Sequence, residues 1–207
     1  MEHDLRHSIV TLALVTATGM ATTFLVLGGV LHVATECPTG LAFAGEVLGY
    51  VLLFDVYFYV LHRLLHTRVL YRSIHAVHHR STAPTVLTAF AFHPLEALLI
   101  IGFMPVAMSL VPIHLVSLVV VSVFLSGSIV LAHCGREVLP DWWQRVPVLN
   151  WYVTPRIHEA HHRRRDCNYS ATLSIFDRAF GTLRIDVPYP NRVVPGAPPS
   201  VTASRRS

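Results

Sequence analysis

The chain has 207 residues, 53% hydrophobic and only 14% charged, with a mean hydropathy of +0.51. A soluble domain carries about a quarter charged residues, so this deficit argues against a soluble fold and for a single-domain integral-membrane protein. The formal charge of +4 comes from 16 arginines with no lysine. Without interleaved aromatic stacking motifs or phosphate-binding glycines it does not describe a nucleic-acid binder, and it marks cytoplasmic loops instead.

In chain order, the stretch from His7 to Thr35 carries no Asp, Glu, Lys or Arg. It exceeds the roughly 20 residues that cross a bilayer, and is read as a retained span rather than a removed signal peptide. A short polar loop around Glu36–Thr39 leads to a second span, Leu41–Leu61. That span holds two acids. Glu46 is expected to be structural. Asp55 falls on one helical stripe with Tyr59, His62 and His66, at spacings of 4, 3 and 4, where a carboxylate would orient a ligand histidine. Residues 62–84 are polar and arginine-bearing, an interfacial segment. Pro94 after His93 predicts a helix start. From Ala97 to Gly135 no side chain is charged, and Pro105 and Pro112 bracket a turn, so a helical hairpin with spans near 95–111 and 113–132 is expected. His114 then sits at the far turn and is not a ligand. Residues 136–186 mix arginine with the interfacial aromatics Trp142, Trp143, Trp151 and Tyr152. The Pro- and Ser-rich tail, 187–207, is expected to be disordered.

The expected architecture is therefore all-α. About four transmembrane helices carry a cytoplasmic, histidine-rich helical cap, divided into an N-terminal transmembrane segment (1–40), a membrane-embedded domain (41–186) and the tail (187–207). Every arginine falls at Arg6, in Arg63–Arg80, or from Arg136 onward. Both proposed far-side loops lack them, as the positive-inside rule requires if both termini and all histidine clusters face the cytoplasm.

The chemistry lies in three clusters: His62-x-x-x-His66, His75-x-x-His78-His79 and His158-x-x-His161-His162. On a helix each spacing aims its imidazoles at one side. Clustered neutral imidazoles need partners, and metal ions supply them. Eight are too many for one mononuclear site and suit two ions. Imidazole alone does not select among Zn, Cu, Fe and Ni. Haem does not call for adjacent His-His pairs, the carboxylate-rich diiron bundle motif is missing, and no G-x-S-x-G elbow supports serine hydrolysis. Cys37, Cys134 and Cys167 form no C-x-x-C pair, so they propose no metal knuckle or redox dithiol.

The ordered set Asp55-x-x-x-Tyr59-x-x-His62-Arg63-x-x-His66, Leu70-Tyr71, His75-x-x-His78-His79, His93-Pro94-x-Glu96, His133-Cys134-Gly135, His158-x-x-His161-His162, Asn168-Tyr169 and Phe176-Asp177-Arg178-x-Phe180-Gly181-Thr182 resembles the fatty acid hydroxylase/sterol desaturase superfamily. The resemblance covers residues 55–182. Ser170 and Phe176 depart from it, where glycine and tryptophan are usual, and neither removes a ligand.

The resemblance implies a histidine-ligated diiron oxygenase of the membrane, acting on a lipid with O2. It implies two iron ions, with zinc possible in a purified or inactive form. The ligands it carries over are His62, His66, His75, His78, His79, His158, His161 and His162, with His133 as an isolated ninth. Glu137 stands where a further histidine might follow His133, and is open as ligand, base or plain interfacial carboxylate. Asp55, Asn168 and Asp177 are candidates to fix imidazole tautomers. No fused electron-carrier motif is present, so a separate ferredoxin or cytochrome b5-type donor with its reductase is expected. Alternatives are carotenoid hydroxylation by the same chemistry, a non-catalytic zinc- or haem-binding membrane protein, and a zinc-dependent hydrolase.

Overall fold

The computed structural model describes residues 2–185. The tail, 187–207, lies outside the described residues. Three helices are long and apolar enough to cross a membrane: α1 (Glu2–Leu27), α2 (Gly40–Leu65) and α6 (Leu115–Ala132). Between α2 and α6 lie a single turn, α3 (Arg68–Leu70), and two short helices, α4 (Pro94–Ile101) and α5 (Phe103–Leu110). α7 (Pro155–Arg164) and α8 (Ile175–Ala179) follow α6.

The expected third span is thus a broken helix of 17 residues, Pro94–Leu110. At 1.5 Å per residue it reaches about 25 Å, short of a bilayer core of about 30 Å. The cause is local. Pro105 has no N–H for the Ile101 carbonyl and its ring crowds that group. The chain relaxes at Gly102, where an added Cβ would stand 2.7 Å from the Leu98 carbonyl oxygen. The start of α4 follows the sequence prediction: Pro94 takes the first turn, and the His93 ring Nδ1 accepts from the Leu95 N–H at 3.2 Å.

The loops after α1 and α5 meet as a two-residue parallel pair, Val33–Ala34 (β1) with Ile113–His114 (β2). Glu46 secures this far end by accepting from the His114 N–H at 3.2 Å and its ring Nδ1 at 2.6 Å. Both residues therefore serve structure, as the sequence reading held. The buried core lies between α2, α5 and α6, around Tyr50, Phe54, Phe103, Met108, Ile113, Val121 and Leu125. The Tyr50 hydroxyl donates to the Val111 carbonyl at 2.6 Å and that of Tyr57 to Leu99 at 2.6 Å, so each tyrosine tip meets a carbonyl.

α1 buries only Ser8 and Thr11 and leaves a broad apolar surface exposed. Its first turns dock on the segment before α4. The Ser8 hydroxyl donates to the Leu87 carbonyl at 2.7 Å, and the His7 ring to that of Phe92 at 3.1 Å. The start of α1, the end of α2, the start of α4 and the end of α6 consequently gather at one end of the bundle. The histidines are there.

Candidate metal centre

Each ligand segment is held by a local device. α2 continues past the expected end of its span to Leu65, so His62 lies in its last turn and His66 caps it. After α3 the chain widens into a π-helical turn, Tyr71–His75, and then tightens into a 3₁₀ turn, His78–Arg80. This change of pitch turns His75, His78 and His79 inward together; all three are buried. His133 caps the end of α6. Gly135 follows with φ +75°, and a Cβ there would meet the Pro84 carbonyl at 3.0 Å, so the glycine lets the chain reverse against the His79–Pro84 segment. α7 starts with Pro155 after Thr154, whose hydroxyl accepts from the Ile157 N–H at 3.4 Å. It ends at Arg165, in the left-handed region at φ 64°.

All nine predicted histidines converge, in two groups. One holds His62, His66, His75, His79 and His161; the other holds His78, His133, His158 and His162. Within each group the candidate ligand atoms lie within 4.8 Å of one another. His62 and His75 approach through their Nε2 atoms at 3.1 Å, His75 and His66 at 3.1 Å, and His79 and His161 at 2.9 Å. In the second group the Nε2 separations are 2.9 Å for His133–His158, 3.2 Å for His158–His162 and 3.4 Å for His78–His133.

The outward nitrogens decide what this convergence means. Nδ1 of His62 faces the Tyr169 carbonyl at 2.7 Å, that of His161 the Cys167 carbonyl at 2.7 Å, that of His162 the Ser81 carbonyl at 2.9 Å and that of His133 the Ile129 carbonyl at 2.8 Å. A carbonyl only accepts, so each of these Nδ1 atoms carries the proton and each Nε2 presents a lone pair. Two such lone pairs are thereby fixed in each group. His75 Nδ1 lies 2.7 Å from a Glu96 oxygen; with Glu96 ionised the ring donates there and turns a third lone pair inward opposite that of His62. Lone pairs packed this closely repel unless a cation lies between them.

Protonation does not supply the cation. Burial, reinforced by neighbouring imidazoles, holds His75, His78, His158, His161 and His162 well below the ordinary histidine range. Burial also pushes His133 down to about 4, against the opposing Ile129 carbonyl. It takes His66 to about 2, helped by His62, Arg165 and Arg63. The rings are neutral at pH 7, the state that ligates metal. The donor set fits two metal ions, one per group, with five and four imidazoles.

Glu96 is the residue the sequence reading left without a role. It is 1% exposed and is the one carboxylate that touches a cluster imidazole among the described residues. The available signal was a charged residue in the first turn of an otherwise apolar helix, a position that requires a buried partner. The backbone carbonyls of Tyr169, Cys167, Ser81 and Ile129 leave no trace in sequence.

The four other candidates act elsewhere. Asp55 lies beneath the segment after α7, accepting from the Thr172 N–H at 2.9 Å, the Thr172 hydroxyl at 2.6 Å and the Leu173 N–H at 2.9 Å. Asp177 accepts from the Tyr169 N–H at 2.8 Å, the Ser170 N–H at 2.9 Å and the Thr182 hydroxyl at 2.6 Å. Asn168, left-handed at φ 57°, donates to the carbonyls of Ile157 and Arg184 at 2.9 and 2.8 Å. None of the three reaches an imidazole, which corrects the expected direct contact. They shape the 168–173 turn, which presents the Tyr169 carbonyl to His62. Glu137 stands apart from both histidine groups. It accepts from the Leu139 N–H at 3.0 Å and the Arg156 N–H at 3.3 Å, and so caps the start of α7.

Fold and site together define a membrane-type helical protein with two adjoining all-imidazole groups that could each hold a metal ion. The family model for fatty acid hydroxylase matches residues 47–182, and the chain belongs to that family. It is 35% identical over 149 residues to methylsterol monooxygenase 2-2 of Arabidopsis thaliana, covering 70% of this chain and 54% of the relative. Methylsterol monooxygenase 1 of Gallus gallus is 30% identical over 147 residues, 71% of this chain and 49% of the relative. Very-long-chain aldehyde decarbonylase GL1-8 of Oryza sativa subsp. indica is 38% identical over 141 residues, 66% and 51%. The chain thus spans about half the length of the curated relatives it matches. The comparison with solved structures gave no significant match.

Proposed function

We propose that the chain is an integral-membrane diiron oxygenase that hydroxylates or desaturates a C–H bond of a lipid, sterol-like or fatty-acyl, with O2 and external electrons. One observation carries the reading. A cavity of about 30 Å³ reaches both imidazole groups, touching His62 and His75 of one and His78, His133 and His158 of the other, and its remaining walls include Phe58, Phe92, Ile100 and Ile129. The substrate's reacting carbon would lie beside both imidazole groups, with mostly apolar side chains and Glu96 around it.

Iron bound by these nine histidines would supply O2 activation and hydrogen removal from an unactivated C–H bond. The chain's own part is ligation, orientation and exclusion of water. The four carbonyls and Glu96 fix ring orientation through Nδ1, which keeps each Nε2 aimed inward. Phe92 stacks on His78 with ring centroids 4.6 Å apart, and Phe58 lies edge-on to His62 at 5.0 Å. These rings hold the ligands in place and keep bulk water off the apolar side.

In this reading the chain crosses four times, with Pro94–Leu110 as a short third crossing, and the centre faces the cytoplasm; the arginine distribution supports that orientation. Electrons come from a separate ferredoxin or cytochrome b5-type donor with a reductase. The exposed Arg63, Arg68, Arg72, Arg80 and Arg163–Arg165 suit an acidic docking partner.

The test is metal analysis joined to product analysis. Purified protein is expected to hold two irons per chain and, with reductant and O2, to convert lipid to a product one oxygen heavier or two hydrogens lighter. His161→Ala and His158→Ala, one in each group, are expected to lose iron and turnover. Zinc bound without O2 consumption, or full turnover by metal-free variants, would sink the proposal.

A further inference from the structure

Two apolar grooves flank the broken helix α4–α5. One, of about 200 Å³, lies toward α2 between Leu53, Val106 and Leu110. The other, of about 230 Å³, lies between α1, α4–α5 and α6 and includes Thr11, Val15, Ser122 and Ser126. Only the second has walls in common with the cavity at the histidines, and those walls are Phe92, Ile100 and Ile129.

We propose that the groove between α1 and α6 is the entry and seat of the lipid substrate, opening sideways into the bilayer. Phe92, Ile100 and Ile129 form the threshold to the metal centre, and Thr11 recognises a hydrogen-bonding group on the lipid. The inference rests on the oxygenase reading only for what happens at the inner end of the groove.

Thr11 is the independent observation. A threonine in an apolar helix normally returns its hydroxyl to the carbonyl one turn back. Thr16, Thr22 and Thr23 of the same helix do so, at 2.9, 2.8 and 2.9 Å. Thr11 is 2% exposed, lines the groove and has no hydrogen-bond partner. A buried, unsatisfied hydroxyl is costly unless something supplies the bond. A lipid with a long apolar body and one hydroxyl or carboxyl group does. The position is consistent with entry near the site: Thr11 follows by one turn the Ser8 that anchors α1 beside the segment leading to α4.

Photolabelling tests this without turnover. The full chain in liposomes is exposed to diazirine-bearing palmitic acid in one arm and diazirine-bearing cholesterol in the other. Saturable labelling of the Thr11–Val15 and Ser122–Ser126 peptides is expected, competed by the unlabelled form of the effective lipid. The arm that saturates identifies the source as fatty-acyl or sterol. Labelling around Leu53 and Val106 is expected to rise without saturation, as bulk lipid contact. Val15→Trp, at a half-exposed position, and Ser122→Trp should cut saturable labelling at least tenfold with bound iron retained; Val106→Trp should not. Thr11→Val should raise the half-saturating concentration about three- to tenfold, the loss of one hydrogen bond.

Equal, non-saturable labelling of both grooves by both probes overturns the proposal, as does wild-type labelling in both tryptophan variants. An unchanged half-saturation in Thr11→Val removes the role of that hydroxyl. Protein that binds a probe saturably but oxidises no lipid defeats the oxygenase reading and leaves the groove standing.

Discussion

Removing the Glu96 carboxylate isolates the contribution of orientation to metal binding. Glu96 is 2.7 Å from His75 Nδ1, nearly free of solvent contact, and on a different element from every ligand. In Glu96→Ala the His75 N–H loses its acceptor in a site too buried for water to replace it. An unsatisfied buried donor costs about 1–3 kcal/mol, or roughly 5- to 150-fold in an equilibrium constant. The ring can recover part of this by moving its proton to Nε2, but that removes the lone pair that faces the His62 side. Either route weakens the five-histidine group and leaves the other untouched. The assay is iron loss to a chelator in detergent, followed by residual iron per chain. Glu96→Ala is expected to shed one iron about 10- to 100-fold more readily, the range for losing a ligand's hydrogen-bond partner. Glu96→Gln, which still offers an amide oxygen, should recover most of the loss. The reasoning fails if Glu96→Ala resists the chelator like wild type, or if both irons leave together at the same rate.

Three further outcomes follow from the geometry. Glu137→Gln should lower stability by about 0.5–2 kcal/mol, as expected for a weakened helix cap, with bound iron unchanged; loss of an iron would make Glu137 a ligand after all. Asp55→Asn puts an amide NH2 where Asp55 now accepts from Thr172 and Leu173, and should cost about 1–3 kcal/mol in thermal unfolding, because a donor then faces a donor. Metal-free Glu96→Gln protein, in which that buried carboxyl no longer titrates, should lose melting temperature as pH falls below about 6.5. Burial depresses the folded pKa of the cluster histidines, so the unfolded chain binds more protons as pH falls below the ordinary value of about 6.5. The stability of the neutral clusters is complete above that value and declines toward folded values of about 4 for His133 and about 2 for His66. A melting temperature that holds steady from pH 7 to pH 5 would refute this.

Much of the molecule was legible in the sequence because period and composition are local. Long apolar runs marked α1, α2 and α6, proline marked the start of α4, and the i, i+3, i+4 histidine spacings marked the ligands. All nine candidate ligands are in the two groups, and Glu46 and His114 took the structural places expected of them. The sequence could not divide the histidines. His75 and His79 join the group of His62 while their neighbour His78 joins that of His133, because the change from a wide π turn to a tight 3₁₀ turn re-aims successive side chains. It could not say that Pro105 and Gly102 would break the third helix into α4 and α5. Nor could it tell Asp55, which secures a turn, from Glu96, which holds a ligand. Both are acids in apolar helices, and only the partner that tertiary packing delivers separates them. The tautomers were out of reach for the same reason: four are set by backbone carbonyls that every residue carries, and folding alone decides which of them meet an imidazole.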